Sequence, residues 1–459
     1  MTTYPAALLP ATERALLHRI AVAQSEGRTP SLAAGVAREG EVVWTGARPS
    51  ARGAGSDDVQ YRIGSITKTF TAVPVMRLRD EGLLDLQDPL EKHLQGTGVG
   101  DVTIAQLLGH SAGLSAEPPS PWWERTPGSL RPELADVLGD GTRTHPVGLR
   151  HHYSNTGYTV LGSLVAAVRG EPWEEVLRRE ILEPLALDRT SAAPRTPYAD
   201  GWAVHPWADV LLPEPAEDLG LMAPAGQLWS TVGDLCRFAL FLAEGDDRVL
   251  RASSVREMRT PSAPAESDEW DSAYGLGMQI VRRDGRTLVG HGGSLPGFLA
   301  GLWVSVDDGI AAAVLANATS GPLTAVVAAD LVGIVAQAEP RIPRPWQPLP
   351  EVDQELLALT GLGYWGTYAF SLRLTADRGV ELQPQLGTSR GSRFVAGGDG
   401  TWTGQNGYCA GETLRVVRRE DGSVHHLDLG SFVFTREPYQ PDAGVPGGVD
   451  PEGWRGLGR

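Results

Sequence analysis

Five prolines fall within residues 338–350, and neither a helix nor a central strand can run through such a stretch. Proline fixes φ and has no backbone N–H to donate. Segment 338–352 therefore reads as a stiff linker, and the 459-residue chain has to fold as separate units on either side of it. Upstream, residues 11–27 carry an amphipathic helical pattern. Runs at 32–36 and 41–44 read as strands split by Glu39-Gly40, a hairpin signal. Mostly helical segments and loops follow to about residue 245. Strand patterns return at 273–283, 286–290, 298–306 and 310–316, before an apolar helix at 322–337. Strands at both ends with helices between predict an α+β unit whose sheet is completed by both ends of the segment. Downstream the pattern changes to short alternating runs at 368–374, 380–383, 401–404, 414–417, 426–429 and 432–435, separated by Gly and Asp turns. Residues 353–440 are thus expected to form a small all-β barrel or sandwich. The Gly/Pro-rich end, 441–459, is expected to be disordered.

A formal net charge of −16 argues against nucleic acid and anionic membrane surfaces as partners. The N-terminus lacks a basic n-region with an apolar core, and no run of 18 apolar residues occurs, so a cytoplasmic location is expected. Cys236 and Cys409 lack metal-ligand spacing and read as small buried hydrophobes. The pairs His151-His152 and His425-His426 have no third ligand at sensible spacing, so no metal is expected.

Only two of the 40 basic residues are lysines, Lys68 and Lys92. Arginine stays protonated in proteins, whereas a desolvated lysine can lose its proton, so a lysine kept against this bias suggests base chemistry. Lys68 follows Ser65 by three residues, the Ser-x-x-Lys arrangement in which a lysine activates a serine nucleophile. By itself that spacing is a weak match. Its context strengthens it: Gly64-Ser65 opens an apolar-periodic helix (Ile66, Phe70, Val73, Leu78) that ends near Gly82, with a kink expected at Pro74. Ser65 then lies in the first turn, where free N–H groups favour a developing oxyanion, and Lys68 lies one turn on along the same face. Lys92, in Glu91-Lys92-His93, reads as solvated surface.

A Ser-x-x-Lys site also needs a proton relay and oxyanion donors. Tyr153-Ser154-Asn155 precedes a helical run at 157–169. A phenol beside a lysine could move the proton of Ser65, and Asn155 could bind a substrate amide and orient Lys68. In Gly290-His291-Gly292-Gly293-Ser294, the glycines would let a backbone approach closely. One N–H there, with that of Ser65, could form an oxyanion hole, and His291 could donate to a substrate carboxylate or carbonyl.

Taken together, Ser65-x-x-Lys68, Tyr153-x-Asn155 and His291-Gly292-Gly293 resemble the three motifs of the serine β-lactamase/penicillin-binding-protein superfamily, closest to its class C-like and esterase branch. Leu107-Leu108-Gly109-His110-Ser111-Ala112-Gly113-Leu114 and Pro224-Ala225-Gly226-Gln227-Leu228-Trp229-Ser230-Thr231 match as well. The resemblance covers about residues 10–337 and implies that 1–337 is an α/β and all-α catalytic domain with its site between the two parts. It implies Ser65 as nucleophile, Lys68 and Tyr153 as the proton-transfer pair, Asn155 as organiser, and the N–H groups of Ser65 and Ser294 as oxyanion hole, with no cofactor. His291 stands where lactam-processing relatives have a lysine, which leans away from lactam hydrolysis towards esterases, D-stereospecific peptidases and related acyltransferases. The C-terminal unit resembles the lipocalin-like module appended to some members. Among these are penicillin-binding-protein-type thioesterases that release and cyclise nonribosomal peptides, which implies a peptidyl substrate and a synthetase carrier protein as partner.

Lesser features read as structural. His110 is expected to support the fold, and Trp122, Trp123, Trp202 and Trp207 either pack or line an apolar cleft. Thr231 to Asp234 reads as a capping box.

Overall fold

The computed structural model describes residues 7–49, 58–139, 141–262, 271–343, 345–387, 390–397, 400–430, 432–439 and 444. Apart from Gly444, the 441–459 end lies outside the described residues. The chain divides between Arg341 and Ile342, inside the proline-rich segment.

In the first unit, helix α1 (Pro10–Glu26) leads into the hairpin β1 (Ser31–Arg38) and β2 (Glu41–Pro49). The buried helix α2 (Ile66–Asp80) follows, then α3 (Asn155–Arg169) and α4 (Val232–Glu244). The chain returns to the sheet through β3 (Ser272–Tyr274), β4 (Gln279–Arg283), β5 (Arg286–Leu295), β6 (Phe298–Ser305) and β7 (Ile310–Ala316), and ends in α5 (Thr324–Ala338). The sheet order is β2-β1-β7-β6-β5-β4-β3 with antiparallel neighbours. β1 pairs with β7, Ala34 opposite Val314, so both ends of the unit do complete one sheet.

The central strands are buried on both faces. Leu32, Ala34, Val36, Ala312 and Val314 pack beneath α1 and α5, while Ala33, Ala37, Ala311, Ala313 and Leu315 join the core formed with α2 and α4. Two-sided burial explains why 310–316 is a continuous apolar run rather than an alternating one. α2 lies inside this second core, and Phe70 stacks on Phe238 with ring centroids 3.6 Å apart. Its buried threonines are satisfied: the Thr69 hydroxyl donates to the Gly277 carbonyl and that of Thr71 to the Pro224 carbonyl, each at 2.8 Å. The helix continues through Pro74 to Asp80.

The second unit is a closed antiparallel barrel of eight strands, β8 (Gly361–Trp365), β9 (Tyr368–Leu374), β10 (Val380–Pro384), β11 (Ser392–Ala396), β12 (Trp402–Gly404), β13 (Thr413–Arg418), β14 (Val424–Leu429) and β15 (Phe432–Thr435). Tyr364 pairs with Thr435 to close it. Inward-facing Phe370, Leu372, Leu382, Phe394, Trp402, Leu414, Leu427 and Phe434 fill it. The sequence pattern missed β8 and β11. Two glycines in Gly-Leu-Gly-Tyr-Trp weaken the strand signal of the first, and the second is five residues beginning with Ser-Arg. Among the described residues no helix is long and apolar enough to cross a membrane.

Candidate active site

Three chain segments converge at the N-terminus of α2. The first is the approach to the helix. Tyr61-Arg62 pairs with Trp229-Ser230, and the Ile63 N–H donates to the Leu228 carbonyl at 2.9 Å. Gly64 then turns at φ +51°, a left-handed conformation that favours glycine, and Ser65 takes the N-cap position of α2. The Ser65 side chain makes no capping bond, which leaves its Oγ for Lys68. Among the described residues the Ser65 N–H has no acceptor.

Lys68 is fully buried. Its Nζ lies 3.0 Å from Ser65 Oγ, 2.6 Å from Asn155 Oδ1 and 2.7 Å from the Ala225 carbonyl. Three acceptors match the three N–H donors of an ammonium. If the amine is neutral, its lone pair can instead accept the serine proton. Burial brings the Lys68 pKa down to about 7, against the opposing pull of the Glu117 and Glu124 carboxylates. A base poised near neutrality is what proton abstraction from a serine requires. Lys92, by contrast, is exposed and pairs with Asp88 at 2.7 Å.

The second segment carries Tyr153 and Asn155. Ser154 caps α3, its Oγ accepting from the Gly157 N–H at 3.0 Å, so Tyr153 projects from the last extended residues and Asn155 from the first turn. Lys68 Nζ lies 4.9 Å from the centre of the half-buried Tyr153 ring. Asn155 donates through Nδ2 to Glu117 Oε1 at 2.8 Å, while Glu117 Oε2 accepts from Trp123 Nε1 at 2.6 Å. Glu117 thereby sets which end of the amide faces Lys68. Neither Glu117 nor the part of Trp123 in holding it was visible from the sequence: no motif marks an acid that works by orienting an amide. Glu124, half-buried beside Glu117, has its carboxyl pKa raised, first by burial and then by that neighbour.

The third segment is the end of β5. Pairing with β4 stops at Gly290, so 291–294 keep β6 on one side only. A Cβ on Gly293 would lie 2.0 Å from the Ile63 carbonyl oxygen and 3.2 Å from Ser65 N, and one on Gly64 would lie 2.6 Å from Ser294 N. Glycine at both positions lets the two backbones touch, which brings the N–H groups of Ser65 and Ser294 to one place. Gly292 donates its N–H to Gln279 Oε1 at 3.1 Å.

His291 departs from its expected role as a donor to substrate. It is 2% exposed, and both ring nitrogens are engaged. The Gly292 carbonyl can only accept, so Nδ1 carries the proton and Nε2 accepts from the Tyr274 hydroxyl at 3.0 Å. Burial, with Lys68 nearby, brings its pKa down to about 3, so the ring is neutral. Tyr274, unmarked in the sequence, fixes it. Of the tryptophans, Trp123 is buried at the site, Trp122 is mostly exposed with Nε1 on Glu124, and Trp207 is solvent-facing. Thr231 does cap α4, but the Asp234 carboxylate accepts from the Arg189 N–H and the Thr190 hydroxyl instead of closing a capping box.

Comparison with known proteins identifies the family of the first unit. Residues 11–337 match the Beta-lactamase family, and residues 352–436 match a domain of unknown function, DUF7586. Penicillin-binding protein 4 of Amycolatopsis lactamdurans is 28% identical over 319 residues, which is 64% of this chain and 82% of that protein. Several other curated relatives are matched over about half their length. A D-stereospecific amidohydrolase from Streptomyces sp. is 29% identical, with a TM-score of 0.57 over 72% of this chain and 99% of that one. An octameric penicillin-binding protein homologue from Pyrococcus abyssi, 24% identical, shares the fold with a TM-score of 0.62 over 93% of this chain and 100% of that one. The chain therefore belongs to the β-lactamase family, within the superfamily of serine β-lactamases and penicillin-binding proteins, and carries a closed eight-stranded barrel after the family domain.

Proposed function

We propose that the protein is a serine acyl-enzyme hydrolase or acyltransferase acting on a peptidyl or aminoacyl carbonyl. Neutral Lys68, with Tyr153 as its proton-transfer partner, takes the proton of Ser65 as Oγ attacks the carbonyl carbon. The N–H groups of Ser65 and Ser294 hold the oxyanion, Tyr153 passes the proton to the leaving group, and water or an amine then releases the acyl group. The observation that carries this reading is the buried Lys68 amine 3.0 Å from Ser65 Oγ, with its pKa near neutrality.

The surroundings of the site favour a substrate with a free amine over one with a carboxylate. His291 is neutral with both nitrogens occupied, and the charged groups that act on Lys68 are the carboxylates of Glu117 and Glu124. Hydrolysis of D-configured amides or peptides, the stereochemistry named for the Streptomyces relative, fits that charge pattern. A second reading, release and cyclisation of a nonribosomal peptide from a carrier-bound thioester, uses the same acyl-enzyme with the peptide's own amine as acceptor. The appended barrel favours it. Offering D- and L-aminoacyl amides beside a linear peptidyl thioester with a D-configured C-terminal residue tests both. Hydrolysis of D-amides alone supports the first reading, and cyclic product supports the second. Failure to turn over any of them, with no acyl adduct on Ser65, refutes the acyl-enzyme.

A further inference from the structure

We infer that His110 is the positioning residue for Tyr153, an inference that rests on the proton-transfer role proposed for that tyrosine. His110 is 2% exposed and sits at φ +57°. Its backbone carbonyl accepts the His152 N–H at 2.7 Å, and its Nδ1 accepts the Ser154 N–H at 3.0 Å. One residue thus holds the N–H groups of both chain neighbours of Tyr153. Its ring lies 4.3 Å, centre to centre, from the Tyr153 ring, and the Tyr274 and Tyr158 rings also pack against it at 4.5 and 5.0 Å. Two further bonds continue the clamp: Ser154 Oγ donates to the Ser115 carbonyl at 2.7 Å, and the Asn155 N–H to the Ala116 carbonyl at 2.8 Å. The whole 152–155 segment is therefore laid along 110–116, and His110 provides both contacts that flank the phenol.

The role needs an acceptor at the Nδ1 position on a residue that tolerates a left-handed backbone. Nδ1 accepts, so the neutral ring carries its proton on Nε2, which has no hydrogen-bond partner among the described residues. A merely space-filling ring would not need Nδ1. Asparagine places its Oδ1 where Nδ1 stands and is among the residues that most readily adopt positive φ. Phenylalanine keeps the ring volume and loses the acceptor.

The test is the rate of Ser65 labelling by a fluorophosphonate for His110→Asn and His110→Phe, each in the wild-type and Tyr153→Phe backgrounds, with melting temperatures measured alongside. His110→Asn is expected to label within about threefold of wild type. His110→Phe is expected to lose about 10²-fold, the usual cost of displacing a catalytic group by an ångström. In the Tyr153→Phe background, His110→Phe should cost less than about threefold more, because residues acting as a unit are not additive. An Asn variant as slow as the Phe variant overturns the inference, and so does an equal loss from His110→Phe in both backgrounds. Should His110→Phe fail to fold, His110→Gln, whose Oε1 stands at the Nε2 position, takes its place, and labelling equal to that of His110→Asn overturns the inference. Wild-type labelling by Tyr153→Phe itself would instead strike down the tyrosine's proposed role, which keeps the two failures apart.

Discussion

The two adjacent glycines of the third segment, Gly292 and Gly293, differ in the room each has for a side chain, and alanine at each should have a different effect. A Cβ on Gly293 would sit 2.0 Å from the Ile63 carbonyl oxygen, against about 3.3 Å for a comfortable carbon–oxygen contact, so β5 and the α2 turn must part by roughly 1.3 Å. Both contacted atoms are backbone, so no side chain can swing away. The displacement falls on the Ser65 and Ser294 N–H groups, and losing one oxyanion donor costs about 10²–10³-fold in rate. A Cβ on Gly292 would meet only Ala325 Cβ at 3.8 Å and Gln279 Oε1 at 4.0 Å, ordinary contacts. Gly293→Ala should therefore acylate about 10²-fold or more slowly than wild type, while Gly292→Ala stays within a few-fold, measured by stopped-flow with an activated ester. Equal rates for Gly293→Ala and wild type, or equal losses in the two variants, would refute the reasoning.

The remaining expectations concern Lys68 and the barrel. With its pKa near 7, the neutral amine is populated as pH rises, so the acylation rate should climb through pH 7 and level off above it. Glu117 opposes deprotonation, so Glu117→Gln should move that midpoint to lower pH; a pH–rate profile that does not move contradicts the assignment. Lys68→Arg cannot deprotonate and should lose at least about 10³-fold in turnover, whereas Lys92→Arg should leave it unchanged. In the barrel, Phe394 is fully buried, and Phe394→Ala should destabilise that unit by about 3–5 kcal/mol in urea unfolding followed by tryptophan fluorescence. A change under about 1 kcal/mol would contradict the packing described.

The pairing of Ser65 with Lys68 was legible because local spacing encodes it: the two share one helical turn, and Gly64 marks the left-handed turn before them. The completion of one sheet by both ends of the first unit was legible because strand patterns bracket its helical segments. What could not be read is what tertiary packing decides. His291 has the position of a substrate donor, yet Tyr274 and its own Gly292 carbonyl consume both nitrogens. Glu117 lies 38 residues from the Asn155 it orients. Strand β8, with two glycines, exists because closing the barrel pairs Tyr364 with Thr435, a long-range demand that outweighs local propensity.

The most direct test of the account is covalent: treat the folded protein with a fluorophosphonate and map the adduct by peptide mass spectrometry. The account predicts a single adduct on Ser65, absent in Ser65→Ala and greatly slowed in Lys68→Arg. No adduct on the folded protein, or one on another residue, would contradict it.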